Sequence, residues 1–160
     1  MVDNKKQNVS VRMSSADLKR IKDIAKRMNV RDSDVFRFAV RSTLTKLTPL
    51  GDDHVHGKDL LPVFVGGGSE LTSYFNLDSS RLERIINEGV DDPEKMVDRE
   101  DVEMIVMANI QESYVLMRLK HLQKKQPEQR DVGLALREYL LEKYIGGFGP
   151  GTLKVVEKRA

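Results

Sequence analysis

The chain has 160 residues, 39% hydrophobic and 32% charged, which suits one ordinary globular domain or two small ones. It has no cysteine, which excludes disulfides, thiolate zinc sites and cysteine nucleophiles, and no apolar run approaches the ~18 residues of a membrane helix. The net charge of +2 hides an asymmetry: residues 1–47 hold 12 Lys and Arg against 5 Asp and Glu, a net of +7, and residues 48–160 hold 15 against 20, a net of −5. A basic head on a mildly acidic body suits a nucleic-acid-binding unit joined to a second module. No apolar segment follows the charged N-terminus, so a cytoplasmic location is expected.

The first element is "QNVSVRM", residues 7–13, where polar and apolar residues alternate. In a strand Val9, Val11 and Met13 share one face, and Asn8, Ser10 and Arg12 the other. A lone strand leaves its backbone unpaired, and no neighbouring strand signal lies within reach, so the same strand of a second copy is the expected partner. The alternative is a half-buried strand packed on the chain's own C-terminal half.

A helix follows, capped by Ser14 or Ser15, with Asp17 in its first turn and Leu18, Ile21, Ile24, Ala25 and Met28 in one apolar stripe. Asn29 suits its end. A second helix starts near Asp32 or Ser33, carries Val35, Phe36, Ala39, Val40, Leu44 and Leu47, and stops at Thr48-Pro49. One strand and two helices make too small a unit to fold alone. Two intertwined copies would bury Val9, Val11, Met13, Leu18, Ile21, Val35, Phe36, Ala39 and Val40 as a dimer core. They would also form a two-stranded antiparallel ribbon able to enter the DNA major groove, with Asn8, Ser10 and Arg12 facing base edges and Lys5 and Lys6 near phosphates.

The alternating "NVSVRM", the Ser-capped "SSADLKRIKDIAKRMNV" and the short break into "RDSDVFRFAVRSTLTKL" together resemble the ribbon-helix-helix family of the Arc and methionine repressors. The resemblance covers residues 8–47, about a quarter of the chain, and rests on order and spacing. It implies base reading by Asn8, Ser10 and Arg12. It further implies a phosphate held by the backbone around Arg31, Asp32 and Ser33. Asp32 and Asp34 depart from what a phosphate neighbour needs, and helix capping is their other role.

Residues 48–59, "TPLGDDHVHGKD", read as a linker, and residues 60–145 as a helical oligomerisation or sensor domain. "LLPVFV" is at best an edge strand because of Pro62. "GGGSEL" opens a short helix, Asp78 or Ser79 caps another carrying Leu82, Ile85 and Ile86, and Gly89 ends it. One long helix is expected over about Glu100–Gln123. Its apolar residues surround much of its circumference, so a second subunit is the expected cover. A last helix spans about Glu128–Ile145, and residues 146–160 form a mobile tail. The fold class expected is therefore mainly α, with a ribbon-helix-helix N-terminus.

Three constellations could carry chemistry. His54 and His56 could share a metal, but lack a clustered third ligand, so exposed loop histidines are the plainer reading. Gly66, Gly67, Gly68 and Ser69 could approach a phosphate, but no Lys-Ser/Thr follows and Glu70 opposes an anion. Asp91, Asp92, Glu94, Asp98, Glu100 and Asp101 could bind Mg²⁺ or do acid–base work, yet they sit where helix capping accounts for them. No catalytic activity and no cofactor are expected. The function expected is a sequence-specific DNA-binding regulator, dimeric or tetrameric, whose partners are double-stranded DNA and a second copy. Alternatives are a regulator that senses a metal or small-molecule effector through its C-terminal half, an antitoxin and a plasmid-partition protein.

Overall fold

The computed structural model describes residues 5–123 and 131–146. The chain divides into two compact units, Met1–Thr45 and Lys46–Ala160.

In the first unit, residues 5–14 form neither strand nor helix. The expected ribbon is therefore corrected: among the described residues there is no strand, and the chain is helical. The mainly α part of the expectation fits. The physical reason is that a strand exists only through its neighbour's hydrogen bonds, and this chain supplies no neighbour to residues 7–13. The helices follow their local signals. Ser14 caps α1 (Ser15–Met28), its Oγ accepting the Asp17 N–H at 3.1 Å and donating to the Asp17 carboxylate at 2.6 Å. Asn29 ends α1 in the left-handed conformation, φ 54°. In α2 (Asp32–Leu47) the cap differs from expectation. Asp34, one residue beyond Ser33, reaches back to accept the Arg31 N–H at 3.3 Å.

The second unit takes in the stretch expected to be a linker. Thr48–Gly51 and Gly57–Leu60 are 3₁₀ turns, and Gly57 and Leu60 are buried. The apolar run after them is helical, α3 (Leu61–Tyr74), which corrects the expected edge strand. Pro62 lies in the first turn, where its missing N–H costs nothing. Short apolar runs fit either structure locally, and here packing of α3 against α5 (Arg99–Met107) and α7 (Val132–Leu141) decides. α4 (Ser79–Asn87) starts at Asp78, whose carboxylate accepts the Arg81 N–H at 2.7 Å. Leu82 and Ile86 are buried on α4, and Asn87 brackets Val97 with two bonds of 2.8 and 2.9 Å.

The single long helix expected over 100–123 is two helices, α5 and α6 (Glu112–Gln123). The Met107 carbonyl accepts from both Ile110 and Gln111 at 2.9 Å, which closes a turn between them. The apolar surround of α5 is covered by α3, α4, α6 and α7 of its own chain rather than by a second subunit. Ile105, on the helix expected to be covered by a second subunit, is 4% exposed inside this core. Asp131 caps α7 through Gly133 and Leu134, and a wide turn, Glu142–Gly146, follows. The expected start of the last helix at Glu128 and the tail beyond residue 146 lie outside the described residues.

Candidate nucleic-acid interface

The residues expected to read bases, Asn8, Ser10 and Arg12, are exposed. So is most of the expected dimer core: Val9 is 82% and Val11 77% exposed, and Met13, Leu18, Ala39 and Val40 also face outward. Ile21, Val35 and Phe36 are half-buried. Among the described residues of this unit Ala25, at 1%, is the one that is buried. Phe38 (75%) and Leu44 (61%) enlarge the uncovered apolar surface, and Phe38 escaped the sequence reading because it lies off the main helical stripe. Asn8 and Val9 face Phe36, Arg37, Val40 and Arg41 across an open cleft.

The residues expected near phosphate, Arg31, Asp32 and Ser33 with Lys5 and Lys6, are all exposed. Asp34 is not the bare anion that the sequence suggests. Arg31 donates to it through Nε and Nη2 at 3.1 Å each, and Arg37 through Nη1 at 3.2 Å. The Arg31 guanidinium holds the Asp34 carboxyl below its usual range. With Asp32 also in the first turn, the two arginines balance the two carboxylates, so the start of α2 is close to neutral rather than acidic. The i, i+3 spacing of Arg31, Asp34 and Arg37 was readable in the sequence.

The other constellations separate. His54 is exposed and its backbone N–H donates to Asp52 at 2.9 Å, while the His56 ring bonds the Asp53 carbonyl. Among the described residues no group of three or more His, Asp or Glu could hold a metal ion. Gly66, Gly67 and Gly68 lie within α3, not in a loop before it, and Gly68 breaks the helix with φ 62° and ψ −173°. Asp91 is exposed and Asp92 caps the turn at Glu94. Glu100 pairs with Arg118.

Asp98 and Asp101 join a cluster that the sequence did not reveal, because its partners lie 38 to 46 residues away. Asp101 is 2% exposed. It accepts from Tyr139 at 3.1 Å, Lys143 at 2.6 Å and the Tyr144 hydroxyl. Lys143 also reaches Asp98 at 2.6 Å, and the Asp98 N–H donates to the Tyr144 hydroxyl at 2.9 Å. Burial works against the Lys143 charge, but its bonds to Asp101 and Asp98 raise its pKa overall. Burial and the bond to Asp101 raise that of Tyr144. Both Asp101 oxygens are engaged, so the cluster fastens the C-terminal turn to α5 rather than presenting a carboxylate to a substrate. Among the described residues no helix is long and apolar enough to cross a membrane. No family model, curated protein or solved structure matches the chain.

Proposed function

We propose that the chain is a sequence-specific DNA-binding regulator that acts as a homodimer and has no catalytic activity of its own. The observation that carries this reading is the state of the first unit. Its forty or so described residues bury a single alanine and leave Val9, Val11, Phe38, Val40 and Leu44 in water. Such a unit gains its stability from a partner, and a second copy offers the same apolar surface in return. Beside that surface lie exposed Asn8, Ser10 and Arg12, whose side chains match base edges, and a helix start where Arg31 and Arg37 offset the charge of Asp34. The likeness of residues 8–47 in sequence to the ribbon-helix-helix repressors supports the same function.

The test uses the full chain. A preferred duplex is selected from a random pool, and the wild type and Arg12→Ala are titrated on it and on random DNA at several salt concentrations. Arg12→Ala should lose about 1–3 kcal/mol of discrimination while keeping salt-sensitive background binding. A wild type with no preferred duplex, or with no salt-dependent affinity for DNA, would overturn the reading.

A further inference from the structure

We propose that the cleft between α3, α5 and α7 is a binding site for a small carboxylate with an apolar body of about one ring's size. It lies wholly in the second unit and does not depend on the DNA-binding reading. The cleft holds about 200 Å³. A dry cavity of about 150 Å³ holds one benzene, so a single ring with a short polar substituent fits. Phe64, Ile105, Leu136 and Leu140 make the apolar wall. Leu134 lines the same cleft and is nearly half exposed, so the opening is apolar as well.

Two features give the cleft a polar preference. Arg137 lines it, is exposed, and its guanidinium has no hydrogen-bond or ion-pair partner among the described residues. The other charged group, Asp131, spends one carboxylate oxygen on the N–H groups of Gly133 and Leu134, at 2.9 and 3.2 Å. The start of α7 thus partly offsets the Asp131 charge, while the Arg137 fork, unpaired among the described residues, suits a bidentate anion. Gly68 forms part of the wall, and its backbone, φ 62° and ψ −173°, is one that only glycine adopts readily. A Cβ placed there would meet no atom within 4 Å. Packing therefore does not demand a glycine at this point. The break in α3 is a conformation open to glycine alone, and it leaves that side of the cleft free of a side chain.

The experiment titrates the full-length protein with benzoate and, separately, with uncharged benzyl alcohol, following methyl resonances by NMR. Saturable shifts are expected at Ile105, Leu134 and Leu140 with both probes. Arg137→Gln should weaken benzoate about tenfold and leave benzyl alcohol unchanged, and Arg137→Lys should restore part of the loss. Three results would overturn the site: no saturable shift up to the solubility limit of benzoate, shifts centred on other residues, or equal benzoate affinity in wild type and Arg137→Gln. Because Arg137 is exposed, its variants keep the core intact, which their unchanged methyl spectra without ligand should verify.

Discussion

Asp101 gathers hydrogen bonds from Tyr139, Lys143 and Tyr144 on one buried carboxylate. Replacing it with alanine leaves Lys143 without its buried anion and two tyrosine hydroxyls without an acceptor. Breaking a buried pair costs about 3–5 kcal/mol, and the one-third exposure of the Lys143 side chain points to the lower end, about 3 kcal/mol. Urea unfolding of Asp101→Ala should show that loss, with the slope unchanged. The same cluster sets an alkaline limit. Lys143 and Tyr144 both have raised pKa values in the fold, so their stabilisation is complete below the unfolded values, about 10 for each. It is lost as the pH climbs from there through the folded values. Stability measured from pH 7 to 11.5 should fall above about pH 10, and the fall should be smaller in the double variant Lys143→Met, Tyr144→Phe.

At the scale of elements, two glycines with positive φ separate strain from space. Gly57, φ 60°, is buried in a 3₁₀ turn, and a Cβ there would lie 2.1 Å from the Lys95 carbonyl oxygen. An alanine at Gly68 would meet the strain without the collision. Gly68→Ala should therefore cost about 1–2 kcal/mol, and Gly57→Ala distinctly more, in parallel denaturant titrations. Two neighbouring helices give a second contrast. Ile105 of α5 is core, so Ile105→Asp should unfold the second unit by burying an unpaired charge. Met117 of α6 is exposed, and Met117→Glu should leave the fold within about 0.5 kcal/mol of wild type, as followed by circular dichroism.

Across the whole molecule the two units differ in how they are held together. The second owns a continuous core from Leu60 to Leu140, whereas the first has Ala25. If a second copy covers the first unit, its thermal transition should rise with protein concentration by mass action while that of the second unit stays fixed. Hydrogen exchange at two concentrations would assign each transition to its residues. Phe38→Asp should remove the concentration dependence without touching the second unit. A first-unit transition that does not move with concentration would mean that this unit is stable as a monomer.

Local chemistry made several features legible in the sequence. Ser14, Asn29 and Asp78 mark helix ends through hydrogen bonds to residues a few positions away, and all three do so in the structure. The 3.6-residue stripes of α1 and α4 follow from the same short range. Other features depended on groups distant in the chain. Residues 60–65 suited strand or helix until α5 and α7 were set against them. The apolar circumference of α5 suggested a missing subunit because the sequence does not show that its own chain wraps it. Asp101 read as one more capping acid until Tyr139, Lys143 and Tyr144 closed on it. Residues 7–13 alternate as a strand would, but alternation supplies faces and not hydrogen-bond partners. Periodicity and caps are properties of one segment, whereas pairing and burial are properties of what surrounds it, and only the tertiary structure decides those.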